Sequence, residues 1–307
     1  MRVYACPACV YKENASMRFK ADASLFLVAL IWGSAFTVQR VAGQQNVVYW
    51  FNGVRFLLGA LALLPLSVRS RGLLAVSRSQ WLWMGMAGAV LFAAAALQQA
   101  GLQSTTAGNA SFITSLYVVF VPLVLFVGWG ERLRWHELAA VGLAAGGAYL
   151  ISAGSRLEVQ KGDALELLGA VFWALHFVIL GKFVSRYDAV TFSMGHFAVC
   201  AVLNILAGFF WEQPPHSVPG AWVAAILYVG IFSVGMGYTL QVWAQKYSPP
   251  TDAALILSLE AVFGALFGFL LLGERLRWTQ AMGCLLVSAG VLLIQLRKSK
   301  SEYNSPA

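Results

Sequence analysis

Glu260 stands near the middle of the apolar run TDAALILSLEAVFGALFGFLLL (Thr251–Leu272). An ionisable side chain at membrane depth is costly and faces a protein interior or a water-filled cavity. Such a carboxyl can exchange a proton or hold a substrate amine. It can equally be satisfied by a neighbouring helix, and Gly264 and Gly268, on the same side, form a G-x-x-x-G contact face that favours that packing role. Arg55 is the only basic residue deep within a run. It reads either as a structural charge bonded to backbone carbonyls or to a carboxylate such as Glu260, or as the seat of a substrate carboxylate. His176 follows Trp173 by about one turn, so both can face one cavity. An imidazole relays protons near neutral pH, and packing against a buried partner suits it as well; His196 reads as structural. Trp32 with Trp173, and Gln98 with Gln241, hold matching places in the two halves of the chain, and Tyr238 lies a turn before Gln241. Indoles away from the interfaces fill a core or wall a chamber. Amides and phenols orient a polar ligand or bond helices together. Tyr117 occupies the place of Glu260 in the first half.

Other chemistries lack their residues. Cys6 and Cys9 form C-P-A-C, but a zinc site needs four ligands and no second pair or nearby histidine completes one. Cys200 and Cys284 fall in apolar runs. The four histidines (His136, His176, His196, His216) are scattered along the chain, whereas an integral membrane enzyme needs His, Asp or Ser clustered at one depth. No G-x-x-x-x-G-K-[ST] loop is present. No cofactor and no metal are therefore expected.

The elements that must position these side chains follow from composition. Of the 307 residues, 59% are hydrophobic and 11% charged, with a mean hydropathy of +0.71, far from the quarter charged of soluble chains. A membrane span takes ~20 apolar residues. Ten such runs are predicted, at 23–42, 47–68, 80–102, 107–129, 135–153, 163–183, 190–211, 220–244, 251–272 and 278–296. The remainder is too short for a soluble catalytic domain. The formal charge of +8 could suggest nucleic acid, but its placement points to the membrane. With the N-terminus inside, 15 of the 21 Lys and Arg residues fall in cytoplasmic segments and five in outer ones, which follows the positive-inside rule. Both termini are then cytoplasmic. Eight of the eleven tryptophans lie near span ends (Trp50, Trp81, Trp83, Trp129, Trp135, Trp211, Trp222, Trp278), as interface anchors do. No cleavable signal is evident, and MRFKAD from Met17 reads as a natural start, which would make 1–16 an extension of mistaken origin.

The hexapeptide GERLRW occurs at Gly130–Trp135 and again at Gly273–Trp278, 143 residues apart. It ends a longer match: Ala110–Trp135 and Ala253–Trp278 share 14 of 26 positions without a gap. At ~100° per residue, most of these identities fall on one helix face. The chain therefore divides into two five-helix units, 22–154 and 162–297, with tails 1–21 and 298–307. Five is odd, so the second unit runs inverted. Each hexapeptide reads as a corner: Gly at the helix end, Glu favouring the positive start of the next helix, Trp at the interface. Inverted repeats around an in-plane pseudo-twofold can expose a shared midplane site to each side in turn.

Four stretches carry a family resemblance: LVALIWGSAFTVQR (Leu27–Arg40), VRFLLGALALLPL (Val54–Leu66), AGNASFITSLYVVFVPLVLFVGWGERL (Ala107–Leu133) and TDAALILSLEAVFGALFGFLLLGERL (Thr251–Leu276). Over about residues 20–297 the chain resembles the EamA family of the drug/metabolite transporter superfamily. The resemblance implies an all-α integral membrane protein of two inverted five-helix repeats, with cytoplasmic termini, in the plasma membrane. It implies transport of small metabolites, often efflux, without ATP. Spans one, three, four, six, eight and nine are expected to line a central cavity. The family commonly has Pro in the middle of spans four and nine; here Val118 and Ala261 stand there, with Pro122 a turn later in span four alone. The expected partners are a modestly polar solute such as an amino acid or related amphiphile, protons as coupling ion, the lipid bilayer and, as an admitted assembly, a homodimer. A passive facilitator or exchanger is the rival within the class. A membrane enzyme or a scaffold is the rival outside it.

Overall fold

The computed structural model describes residues 15–43, 47–70, 76–132, 134–153, 161–215, 218–273 and 277–303. These residues form helices: α1 (Ala15–Gly43), α2 (Tyr49–Arg69), α3 (Arg78–Leu102), α4 (Ala107–Ser115), α5 (Tyr117–Trp129), α6 (Trp135–Ala153) and α7 (Lys161–Ile179). After a π-helical turn, π1 (Leu180–Val184), come α8 (Ala189–Trp211), α9 (Gly220–Tyr228), the π-helical stretch π2 (Val229–Tyr238) and α10 (Thr239–Ala244). The chain ends in α11 (Pro250–Leu257), α12 (Glu260–Leu272) and α13 (Trp278–Tyr303). Among the described residues, eight helical stretches are long and apolar enough to cross a membrane, counting α4–α5, α7–π1, α9–π2–α10 and α11–α12 as one stretch each. The Cys6–Cys9 pair, His216, Arg156 and Glu274–Leu276 of the second hexapeptide lie outside the described residues.

Local chemistry sets the helix ends. Ser77, Thr106 and Asp188 cap α3, α4 and α8 by accepting from the backbone N–H three residues on, at 3.1, 3.1 and 2.9 Å. Such caps satisfy donors that a helix start otherwise leaves orphaned. Gly130 and Gly273, with φ of 69° and 67°, end α5 and α12 in the left-handed region that glycine tolerates. The hexapeptide is thus a corner, but in the first copy its glutamate, Glu131, has another role than expected. Glu131 pairs with Lys182 of π1. The backbone N–H ahead of α6 goes instead to Glu137 (Arg134 N to Oε2, 2.6 Å), and Gln280 does the same for Arg277 (2.9 Å).

α4–α5 and α11–α12 are each interrupted without a proline at the break. Ser115 and Ser258, equivalent residues of the two halves, donate their hydroxyls to the carbonyl three residues back, Phe112 and Leu255, both at 2.7 Å. Beside them the backbone tightens: Leu116 N bonds Ile113 O (3.1 Å) and Leu259 N bonds Ile256 O (3.2 Å). A serine hydroxyl that takes a helical carbonyl bends the helix. The helix restarts at Tyr117 in one half and Glu260 in the other.

α6 and α13 pack together reciprocally. A Cβ on Gly147 would lie 2.7 Å from Val287 N, and one on Gly290 would lie 2.7 Å from Ala140 O and 3.4 Å from Ala144 N. Gly147 matches Gly290 and Ala144 matches Val287 at the 143-residue offset of the repeat. Contacts in which i meets j while j's equivalent meets i's equivalent are those of a twofold axis. Position rises along α6 as it falls along α13, so the two helices are antiparallel. α2 and α8 also run antiparallel, with Ser67 on Thr191 (3.0 Å) at one end and Trp50 over Gly208 at the other.

The outer surface is apolar: Val127, Phe209 and Phe210 are exposed, as are Trp81, Trp129, Trp135, Trp211 and Trp278. A soluble monomer does not present such a surface. Trp222 departs from the expected anchors, being buried against Phe51 at 6.1 Å.

Candidate functional site

The interrupted helices aim their restart points inward. Tyr117, Glu260, Trp32, Arg55, Gln98, Trp173 and Tyr238 line one narrow, tightly closed cavity together with Gln39, Thr114, Phe177 and Ser233. α1, α2, α3, α4, α5, α7, π2 and α12 all contribute. Span two therefore joins the expected lining, through Arg55. Glu260 and Arg55 are each 2% exposed and Tyr117 1%, so the chamber is shut off from water.

Aromatic rings build one wall. Tyr238 lies 4.6 Å from Trp32 and stacks on Trp173 at 5.8 Å, while Tyr117 stacks on Phe177 at 4.7 Å. Trp32 Nε1 donates to the Ser233 carbonyl at 3.2 Å, and Gly237 leaves room for that indole, since a Cβ there would sit 2.7 Å from Nε1. Trp32 and Trp173 thus wall the chamber from equivalent places in the two halves.

Arg55 pairs neither with backbone carbonyls nor with Glu260. It donates Nη1 to Gln39 Oε1 and lies over the rings of Phe51 and Phe56, 5.4 and 5.0 Å from their centres. Its Nε and Nη2 are buried without a partner. Glu260 Oε1 is likewise unpartnered, and Tyr117 is close enough to interact electrostatically but makes no well-formed hydrogen bond to it. Among the described residues no cation lies within ion-pair reach of Glu260. The chamber therefore holds a guanidinium with free donors and a carboxyl with a free oxygen, neither committed to the other.

Two expected residues stand outside the lining. His176 lies behind the aromatic wall, at 6.1 Å from both Trp173 and Tyr238. It pairs with His196 at 5.6 Å, so these two histidines are not scattered. His196 Nδ1 bonds the Phe192 carbonyl at 3.0 Å, whereas both ring nitrogens of His176 are unpartnered. Gln241 is fully buried with both amide atoms unpartnered, while Gln98 lines the chamber and donates to Thr114 Oγ1 at 3.2 Å. The matched pair is thus split by the fold. Among the described residues no group of three metal-ligating side chains comes together.

Gln39, Thr114, Ser233 and a second buried carboxyl, Glu166, escaped sequence reasoning. Glu166 sits near the start of the sixth apolar run, where a charge reads as an end-of-span residue. Its signal was spacing: Asp163 and Glu166 are three apart and share one face.

Comparison with known proteins agrees with this architecture. The family model described as the EamA-like transporter family matches residues 19–153 and again 160–296. An uncharacterized transporter of Archaeoglobus fulgidus is 32% identical over 281 residues, covering 91% of this chain and 87% of the relative. A protein of Chlamydia trachomatis named as an S-adenosylmethionine/S-adenosylhomocysteine transporter is 23% identical over 293 residues, 89% of this chain and 88% of its own length. A solved crystal structure superposes with a TM-score of 0.72 over 92% of this chain and 99% of that one; at 20% identity the likeness concerns the fold. Two family matches in tandem, eight long apolar helices and a sealed chamber between the halves identify the chain as a multi-pass membrane transporter that belongs to the EamA-like family, within the drug/metabolite transporter superfamily.

Proposed function

We propose that the protein is a ten-span secondary transporter in the plasma membrane, with cytoplasmic termini and two inverted repeats. On this reading it exports small organic solutes of the amino-acid or related amphiphile class in exchange for protons, by alternating access. The observation that carries the reading is the chamber itself: both halves contribute to one buried space lined by Glu260, whose Oε1 has no partner, and by Arg55, whose Nε and Nη2 have none. A zwitterion can satisfy both, and the aromatic wall accepts an apolar side chain. The reciprocal, antiparallel contact of α6 with α13 supports inversion, because a twofold axis that reverses helix direction lies in the membrane plane. Glu260 is assigned proton coupling or amine binding, Arg55 carboxylate binding, and Trp32, Trp173, Tyr117, Tyr238 and Gln98 the shaping of the chamber. His176 and Gln241 are assigned to its supporting layer. A growth screen of an overexpressing strain against toxic amino acids and analogues, followed by proteoliposome flux under an imposed pH gradient, tests the assignment. Flux that ignores the pH gradient and responds to trans solute would turn the reading to exchange.

A second reading concerns a larger solute. The named substrates of the Chlamydia relative join an amino-acid end to an adenine. The stacked Trp173–Tyr238 pair beside Arg55 and Glu260 offers surfaces for both ends. Competition of amino-acid flux by S-adenosylmethionine separates the two.

A further inference from the structure

We infer that Glu166 is a second proton-holding site of the transport path, a relay that connects Glu260 in the chamber to the protein surface at Asp163. The inference rests on the coupling role proposed for Glu260. Glu166 is fully buried on α7, one turn inside Asp163. Asp163, part-buried near the start of α7, accepts from Thr105 Oγ1 at 2.8 Å at the α3–α4 junction. Behind Glu166 the chain of polar atoms continues inward: Thr114 Oγ1 donates to Glu166 Oε2 at 2.9 Å, and Gln98 Nε2 donates to Thr114 Oγ1 at 3.2 Å. Thr114 and Gln98 both line the chamber that holds Glu260. One hydrogen bond therefore separates Glu166 from the chamber wall.

The surroundings of Glu166 fit a proton carrier better than a structural ion. Its Oε1 is buried with no partner, and among the described residues no cation lies within ion-pair reach. The carboxyl packs on bare backbone, since a Cβ on Gly101 would come within 2.8 Å of Oε1. A buried charge without a counter-ion costs several kcal/mol, and a bound proton removes that cost. The elements around it bring little else that titrates. α3 presents Gln98 and Gly101, α4 presents Thr114, α5 carries only Tyr117, and the one acidic side chain of α11, Asp252, is tied to Arg18 at 2.5 Å. Asp163 on one side and Glu260 on the other are the carboxyls that act on it, with Tyr238 and Arg55 across the chamber. When the chamber opens to the side on which Asp163 lies, a proton from water can pass to Glu166 and on through Thr114 to Glu260, the direction that export in exchange for protons requires.

Infrared difference titration of the purified protein in liposomes tests this, because a protonated carboxyl in apolar surroundings has its own C=O stretch. The wild type should give two titrating bands, with Glu166→Gln lacking one and Glu260→Gln the other. In Glu166→Gln the midpoint of the remaining band should shift by about one pH unit, the scale of two interacting sites. Thr114→Val should keep both bands and lose the shift, and Glu166→Asp should restore a second band. Loss of the Glu166 band with Glu260 titrating unchanged overturns the relay. Retention of both bands in Glu166→Gln overturns it too. A Glu260→Gln protein that loses no band strikes the coupling role of Glu260 instead, which separates the two failures. Should Glu166→Gln fail to fold, the midpoint in Thr114→Val decides: unchanged from wild type, it sinks the relay.

Discussion

At the scale of the residue, the chamber sets two ionisable groups with unused hydrogen-bonding capacity among rings and amides. Coulombic attraction strengthens as water is excluded, so a solute that reaches Glu260 and Arg55 there is bound far more firmly than at the surface. The roles of the two separate in kinetics. Glu260→Gln keeps the shape and removes the exchangeable proton. Flux driven by a pH gradient should vanish while counterflow of labelled solute persists, and an unchanged pH dependence would end the coupling assignment. Arg55→Lys removes the planar fork that bonds Gln39 and leaves Nε and Nη2 for a carboxylate. A lost charged hydrogen bond of about 1.5–3 kcal/mol corresponds to a rise in KM of roughly 10–100-fold. A variant that folds as the wild type with KM unchanged would return Arg55 to a structural role. Glu260 and Arg55 were readable from sequence because a charge inside an apolar run is conspicuous. Gln39, Thr114 and Glu166 were not, since a lone amide or hydroxyl, or a carboxyl near a span end, looks like any helix surface until the fold places it.

At the scale of the element, the two broken helices position the chemistry. The breaks lie at equivalent places, each marked by a serine that withdraws a carbonyl from the helical ladder, so the bend needs no proline. The sequence signal was present in the pairing of Ser115 with Ser258, but those residues are only two of the identities that fall on one helix face. Ser115→Ala and Ser258→Ala should each return the carbonyl to the helix and turn Tyr117 or Glu260 away from the chamber. Flux should then fall while stability stays within about 1 kcal/mol, the net value of one hydrogen bond. Thermal unfolding beside flux assays checks this; full flux in the double variant would mean that the bend is incidental. The helix contacts carry the opposite signature. At Gly264 a Cβ would lie 2.6 Å from Ser111 Cβ, and at Gly33 one would lie 2.9 Å from Gly264 N. Gly264→Ala should therefore cost about 1–3 kcal/mol by overpacking the α1–α4–α12 contact, seen as a lower Tm. No loss of Tm would show that the bundle has slack there. The G-x-x-x-G spacing alone pointed to this close approach, because glycine at that period has few other reasons to occur in an apolar helix.

At the scale of the whole molecule, polar contacts tie the two halves together at either end of the bundle. At one end Arg18 at the start of α1 bonds Asp252 of α11 at 2.5 Å and lies 3.5 Å from Asp22, which accepts from Ser248 at 3.3 Å. At the other, Ser34 and Tyr228 share a hydrogen bond of 2.6 Å, and Glu212 holds the backbone N–H groups of Val48 and Tyr49 at 2.7 and 2.9 Å. The repeat in the sequence announced two kindred halves, yet none of the ties between them could be read from it, because each of those joins residues more than 160 positions apart whose pairing depends on how the halves dock. If the halves rock about the chamber, the two sets of ties would break in turn, and weakening one should bias the molecule toward opening on that side. The Arg18 pair is mostly buried, and a contribution of about 1 kcal/mol would shift the ratio of two states roughly fivefold. Ser233→Cys in a background without the native cysteines places a reporter on the chamber wall. A membrane-impermeant maleimide should label it slowly in the otherwise unaltered protein, and several times faster from the cytoplasmic face alone once Arg18→Ala is added. Equal labelling from both faces would mean that the ion pair only steadies the fold, and faster labelling from the outer face would reverse the orientation of the bundle.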